Sequence, residues 1–361
     1  MDPSTETNDA ALLAAWQISP STHAHILHTQ ILPRELHPFL PNPASSSDAS
    51  PPSRARPLAV FILGQTGAGK TRLAPLLLSA MSSTPPPPPP AAPFPPAGPP
   101  TTGIETTNPP KTLHLIADTY KTYHPHYATA LAAAPHLASR LASRDAARWL
   151  RAVCACAARH GVARVLVESA CRARGDLQGL VGAFSVPYRV RVAVLAVPAA
   201  LSRLGILVRY HRRLPEAGSR GLPVRLTPRR VHDESFAGLA EAVRWLDGHG
   251  PEQAAVERVV VVRRNVVVAY ADERGQDGRW MRGGEGGGAL RALEAERERP
   301  LSVEERRAAG EDIAALRSLG DPEVDRELDE IEALIAALGV EEQRAPAAAT
   351  LFDAEAFVST S

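Results

Sequence analysis

The sequence has no excess charge of either sign: 40 Lys and Arg stand against 39 Asp and Glu, a formal net charge of +1. That balance removes any global electrostatic case for nucleic acid or an anionic membrane as a partner. Cysteine is sparse, with Cys154, Cys156 and Cys171 only and no C-x-x-C spacing. Cys154 and Cys156 fall in a helical stretch, where positions i and i+2 do not share a face. Such a set points to buried thiols in a reducing compartment and away from a metal site. The amino terminus, Met1-Asp2-Pro3-Ser4-Thr5-Glu6, has neither the basic nor the apolar region of a secretory signal. Long apolar runs are missing too. The valine-rich stretch from Val259 to Val268 is interrupted by Arg263 and Arg264 and is too short to cross a bilayer. Together these absences lead to the expectation of a soluble, cytoplasmic protein. A chain of 361 residues can hold one large domain or two ordinary ones.

What is present is concentrated in one segment. The apolar run Leu58-Ala59-Val60-Phe61-Ile62-Leu63 leads directly into Gly64-Gln65-Thr66-Gly67-Ala68-Gly69-Lys70-Thr71, with Arg72 next. This is G-x-x-x-x-G-K-T in the context of a strand feeding a loop and a helix. The glycines let successive backbone N–H groups turn toward one phosphate cluster. Lys70 adds a point charge at the β/γ-phosphates and Thr71 a hydroxyl ligand for Mg²⁺. A helix opening at Lys70 contributes the positive end of its dipole. The spacing therefore predicts a nucleotide site built from residues 64–72, with ATP and Mg²⁺ as its ligands. The bland alternative is a Gly-rich turn between a core strand and a helix.

Around this segment the chain alternates strands and helices. Short helices are expected from Ala10 to Gln17 and from Pro20 to Ile31, the second capped by Ser19 with Pro20 at its first position. Residues 42–56 are rich in Pro and Ser and read as a linker. The run from Thr84 to Pro110, with six consecutive prolines from Pro85 to Pro90, cannot enter a sheet or helix and reads as a projecting insertion. It is either a tolerated surface insertion or a docking tract for an SH3- or WW-type partner. Strands are expected at Leu113–Ala117, Arg164–Glu168 and Tyr188–Val197. Helices are expected over 143–160, from Ala199 to about Arg213, and from Pro228 to Leu246, where Phe236, Leu239, Val243 and Leu246 recur at helical spacing. A hairpin follows around Arg264-Asn265. This pattern predicts an α/β fold of the P-loop NTPase type, a mostly parallel sheet with helices on both faces. It sets an N-terminal helical segment and linker at 1–50, the core at 54–271, a C-terminal helical extension at 272–343 and a disordered tail at 344–361.

A P-loop alone does not separate a kinase from an ATPase or GTPase; the ends of the other strands narrow it. Ligands of open α/β sheets bind beyond the carboxyl ends of the strands. The second strand ends in Asp118, which can take a proton from an attacking hydroxyl opposite the γ-phosphate, or else cap a helix. The third ends in Glu168-Ser169-Ala170-Cys171-Arg172. Glu168 can orient Mg²⁺ through water or hold a substrate hydroxyl, and Arg172 can grip an anionic substrate; a surface salt bridge is the other reading. Arg209 and Arg225 are guanidinium groups from the same chain that can neutralise charge on the migrating phosphoryl group. His232-Asp233 can cap, pair or brace the site, and bracing is preferred.

In their order and spacing these residues resemble the zeta-toxin-like P-loop kinases. The resemblance runs from about residue 18 to 270 through Gly64–Thr71, Asp118…His124-Pro125, Glu168…Arg172, Leu204–Tyr210, Arg225–Pro228 and His232-Asp233. It implies a kinase that uses ATP and Mg²⁺ on a hydroxyl of a nucleotide sugar such as UDP-N-acetylglucosamine. By resemblance Asp118 is the general base, Lys70 the γ-phosphate lysine, Arg209 and Arg225 the transition-state arginines, and Glu168, Arg172 and His124 substrate-side residues. The sequence departs from the family in three places, one of them the proline-rich insertion at 84–110, which compact bacterial members lack. Ser169-Ala170 stands where Gly-Thr is usual, and the helix before the third strand has Asp145 as its nearest acid where a pocket carboxylate is expected. Another hydroxylated acceptor, or a nucleotide-binding regulatory module without transfer, therefore stays open. In relatives that have an antitoxin it blocks the nucleotide site, and residues 1–50 are the segment of this chain that could dock there in cis.

Overall fold

The computed structural model describes residues 3–40, 56–83, 112–184, 187–212, 214, 220–222, 224–282, 288–339 and 350–359. The proline-rich stretch 84–110 lies outside the described residues, as does the linker up to Ala55 from Pro41. Six strands form one sheet: β1 (Leu58–Leu63), β2 (Leu113–Ile116), β3 (Arg164–Ser169), β4 (Arg189–Leu195), β5 (Val256–Val262) and β6 (Val268–Glu273), in the order β2-β3-β1-β4-β5-β6. The first five run parallel and β6 closes the edge antiparallel. β1 is central because it is apolar at every position and buried along its whole length. Ala59, Phe61 and Leu63 face one core, while Leu58, Val60 and Ile62 face the other. A strand covered on both faces needs such a continuous run rather than alternation.

One face carries α5 (Pro135–Arg159), α6 (Arg174–Ala183), α8 (Arg229–Leu246) and α9 (Gly288–Glu298). The other carries the P-loop helix α3 (Lys70–Ser83), α7 (Ala199–His211), α10 (Val303–Arg317) and α11 (Pro322–Leu338). Pro75 lies inside α3 without ending it. The last helices pack on the core and on each other. Ile313 and Leu316 of α10 and Leu328 and Ile331 of α11 join the same apolar cluster as Val60 and Ile62, and both helices pack on α7. Among the described residues no helix is long and apolar enough to cross a membrane.

Two outer segments depart from the sequence expectation. The N-terminal helices α1 (Pro3–Ala15) and α2 (Pro20–Ile26), with a π-helical continuation over Leu27–Leu36, pack on α5 and do not cover the P-loop. Ser19 caps α2 by accepting from the Thr22 N–H at 3.0 Å. Ile26, Ile31 and Leu36 enter the core beside Trp149, whose indole N–H donates to the His23 carbonyl at 3.0 Å. The apolar spacing of this segment thus serves the core and not a cis-acting plug. Ile31→Ala is expected to destabilise the fold by about 2–5 kcal/mol, read as a lower denaturant midpoint at unchanged slope.

The second departure is at the carboxyl-terminal side. Residues 344–349 lie outside the described residues, but Thr350–Ser359 is ordered in place of the expected disordered tail. The Val268 N–H donates to the Thr350 carbonyl and the Phe352 N–H to the Val266 carbonyl, each at 2.8 Å, adding this segment to the edge of the hairpin. It continues into α12 (Ala354–Val358), whose Phe357 and Val358 are buried against α3. Arg189, Arg191 and Arg258 donate to the carbonyls at its end. Buried guanidiniums on β4 supply the partners that α12's last carbonyls lack within the helix.

Candidate active site

The loop between β1 and α3 takes a form only its glycines permit. Gly67 and Gly69 have φ of +80° and +96°, and a Cβ on Gly67 would stand 2.0 Å from the Ser202 carbonyl oxygen. Lys70 folds back over the loop, its Nζ donating to the Gly64 carbonyl at 2.7 Å. Gln65 is fully buried and turns away from the loop's mouth, donating to the Val197 carbonyl at 2.7 Å and the Ser202 hydroxyl at 3.3 Å. Its side chain anchors the loop. The Thr66 N–H donates to Ser235 Oγ on α8 at 3.1 Å.

Beyond the loop opens a cavity of about 360 Å³, within the size of small-molecule sites. It brings together Thr66 and Lys70 of the loop, Asp118 and Lys121 after β2, Glu168 and Arg172 after β3, and Arg225. Asp118 sits in the 3-10 turn Ala117–Tyr123 and pairs with Lys121 Nζ at 2.5 Å, so the helix-cap alternative does not describe it. Burial works to raise the Asp118 carboxyl, but Lys121, Arg225 and Lys70 outweigh it and hold the group well below the usual carboxylate range. Burial also lowers the Lys70 ammonium, against the opposing charges of Glu168 and Asp118. Glu168 is buried at 3% exposure and is held by His114 Nε2 at 2.8 Å across the β2–β3 pair. Arg172 reaches α5, donating to Ser143 Oγ at 3.3 Å and Ser139 Oγ at 3.4 Å.

Not every expected site residue lies here. Arg209 is not among the residues lining the cavity; its Nη2 donates to Thr227 Oγ1 at 3.2 Å, and its charge reaches Lys70. His124 is buried outside the cavity, 3.7 Å from Asp145, which corrects its placement on the substrate side. The Asp118–His124 segment is a turn, so its far end faces the N-terminal layer. Asp145 points the same way, toward His23 and His124, and α5 offers the cavity Arg144 and Arg151 instead of an acid. His232 braces, as the sequence suggested. Its Nε2 is 2.8 Å from Ser202 Oγ and its Nδ1 2.9 Å from Asp233. Burial lowers its pKa despite Asp233. Ser202 is fully buried and its hydroxyl donates to helix carbonyls, so this trio has no access for a substrate.

Sequence reasoning missed Lys121, and a signal for it was there. Of the 40 basic residues only Lys70, Lys111 and Lys121 are lysine, and two of those three line the cavity. Lys121 also donates to Ser139 Oγ at 3.2 Å. Burial pushes its ammonium down to about 8, against the pull of Asp118. As pH rises through 8 the ammonium therefore loses its proton and Asp118 loses its nearest counter-charge. The rate of wild-type protein is expected to fall along that limb, and in Lys121→Arg the limb is expected to vanish because the charge persists. A pH–rate profile of the two proteins checks this; identical upper limbs contradict it.

Strand order, P-loop and a carboxylate facing it across a basic cavity define a P-loop α/β fold of the kinase-like type. The Zeta toxin family model matches residues 43–85 and 105–275, more than half of the chain. The chain belongs to the zeta toxin family. The match breaks between 85 and 105, inside the proline-rich stretch. Among solved structures, one from the PezAT chromosomal toxin–antitoxin system of Streptococcus pneumoniae is similar at a TM-score of 0.51 and 17% identity. The likeness covers 88% of this chain and 99% of that one. At that identity it speaks for the fold alone. No curated protein matches the chain.

Proposed function

We propose that the protein is an ATP-dependent kinase that transfers the γ-phosphate to a hydroxyl of a small phosphate-bearing acceptor. A nucleotide sugar such as UDP-N-acetylglucosamine is the first candidate. The observation that carries this reading is the shared cavity, in which Asp118, Lys70 and Arg225 face one space next to the P-loop. A site that only bound nucleotide would need neither the acid nor the guanidinium. The backbone amides of Gly67 to Thr71 hold the β/γ-phosphates, Lys70 exchanges its loop carbonyls for phosphate oxygens, and Asp118 accepts the hydroxyl's proton. Arg225 meets the charge of the transferring group, and Arg209, whose charge reaches Lys70, adds to it at longer range.

The acceptor side is cationic. Arg144, Arg151 and Arg172 line it in addition to Lys70, Lys121 and Arg225, against the acids Asp118, Glu168 and Asp176. That excess favours an acceptor that brings phosphate of its own. For a metal the donors are oxygens, the Thr71 hydroxyl and the Glu168 carboxylate, which suit Mg²⁺. Among the described residues no three His, Cys, Asp or Glu side chains converge as a metal site, which fits an ion that enters with the triphosphate. Bound there, Mg²⁺ would neutralise charge on the β- and γ-phosphates. The test is incubation with ATP, Mg²⁺ and a panel of nucleotide sugars and other phosphorylated alcohols, with mass spectrometry for a gain of one phosphate. ATP bound tightly with no acceptor modified and no ATP consumed would leave a nucleotide-binding module and end the kinase reading.

A further inference from the structure

The amides of a P-loop face its ligand, so its carbonyls and side chains must be satisfied from outside. In this protein two arginines far along the chain do so. Arg264, in the turn between β5 and β6, donates from Nη2 to the Gly67 carbonyl and from Nε to the Ala68 carbonyl at 3.3 Å. Gly205 on α7 leaves it room, since a Cβ there would stand 2.7 Å from Arg264 Nη2. Arg297, on α9 and therefore beyond the family match, donates from Nη2 to Gln65 Oε1 at 3.3 Å. Its guanidinium lies over the Phe236 ring at 3.7 Å from the centroid, a cation–π seat.

Arg297 is a buried cation and Arg264 a half-buried one. Burial pushes each guanidinium down to about 10, still charged at neutral pH. Among the described residues the hydrogen bonds of each go to the P-loop, and no carboxylate stands within ion-pair distance of either, while Asp312 and Glu305 act on Arg264 and Glu294 on Arg297 from farther off. A desolvated charge with only distant counter-charges is costly to hold, and a bound anion can supply what they do not. The Arg264 turn also holds Val266 at φ +60°. A β-branched residue adopts that conformation only where its surroundings over-determine it; here the Val266 carbonyl accepts the Phe352 N–H at 2.8 Å.

We infer that Arg264 and Arg297 are positioning residues for the nucleotide, fixing the P-loop from its outer side and placing behind it positive charge that a bound triphosphate balances. The α9 layer is then a working part of the nucleotide site. This rests on the reading of residues 64–72 as an ATP site.

The test is isothermal titration of ATP·Mg²⁺ into the full chain, its Arg264→Met and Arg297→Met variants, with steady-state kinetics alongside. Circular dichroism and melting without nucleotide establish that each variant is folded. Two lost charge-assisted hydrogen bonds predict at least about tenfold weaker ATP binding for Arg264→Met, and a loss of about threefold or more for Arg297→Met. The loss is expected in the KM for ATP, with kcat at saturating ATP held within about threefold. Arg264→Lys, which keeps the charge but cannot span both carbonyls, is expected to recover part of the affinity. Should the Met variants fail to fold, Phe236→Leu removes the ring beneath Arg297 without touching the P-loop and is expected to weaken ATP by a few-fold. Equal affinity in the unaltered chain and every folded variant overturns the inference alone. No ATP binding by the unaltered chain overturns the nucleotide reading itself, and this inference with it.

Discussion

Asp118→Ala is expected to lower turnover by about 10²–10⁴ while ATP titrates as in the unaltered protein. The carboxylate stands at the end of β2 in the cavity beside the P-loop, with Lys121 and Arg225 holding it well below the usual carboxylate range and so ionised at neutral pH. A base held that far down is a poor proton sink in the ground state. It suits a transfer in which the phosphoryl group is largely detached before the hydroxyl proton moves, because the hydroxyl becomes strongly acidic only late. On the proposed kinase reading the carboxylate would orient the nucleophile until then. Asp118→Asn separates the two duties, since the amide oxygen can still accept a hydrogen bond but cannot take a proton. Turnover in the Asn variant near that of wild type would confine the residue to orientation. Turnover near wild type in the Ala variant would remove it from the reaction altogether.

The parts of the fold that announced themselves in sequence were those with a short-range physical cause. β1 and the loop after it are contiguous, and every constraint on them, apolar run, glycines, lysine and helix start, lies within fourteen residues from Leu58 to Thr71. The Ser19 cap and the amphipathic α8 are equally local. What could not be seen were pairings across long sequence distances. His114 holds Glu168, Arg264 reaches Gly67 and Arg297 reaches Gln65, and each involves a residue that on its own reads as a surface charge. The same limit explains His124. It follows the Asp118 turn so closely that proximity in sequence suggested proximity to substrate, but the turn carries it to the N-terminal layer.

Composition misled at the carboxyl-terminal end for a related reason. Residues 350–359 are few, and their apolar members, Leu351, Phe352, Phe357 and Val358, have no periodicity of their own. Their order derives from partners supplied by β4, β6 and α3. Asp353 caps α12 locally, but a segment whose burial and sheet hydrogen bonds come from elsewhere is hard to recognise from its own residues. The N-terminal segment shows the converse. Its helices were legible, but where they would dock was not, because amphipathicity specifies an apolar face and not the surface that covers it.

The two arginines that the sequence treats alike are separated by the structure, and this sets the second large effect. Arg225 lines the cavity beside Asp118 and Lys121 and is 7% exposed. Arg209 lies outside that lining, tied to Thr227 Oγ1. A guanidinium that meets the equatorial oxygens of the transferring group contributes about 10³–10⁵ in rate, whereas one outside the cavity lining works through a longer and partly screened path. Arg225→Met is therefore expected to lose about 10³ or more in single-turnover transfer, with its KM for ATP changed far less than its rate because the contact is stronger in the transition state than in the ground state. Arg209→Met is expected to lose about 10-fold to 10²-fold, shared between KM and kcat through the position of Lys70. Rapid-quench transfer from γ-labelled ATP measures both. The opposite ranking would mean that Arg209 leaves Thr227 and turns into the cavity when the triphosphate binds, a movement that Thr227→Val would then make easier by removing its resting partner.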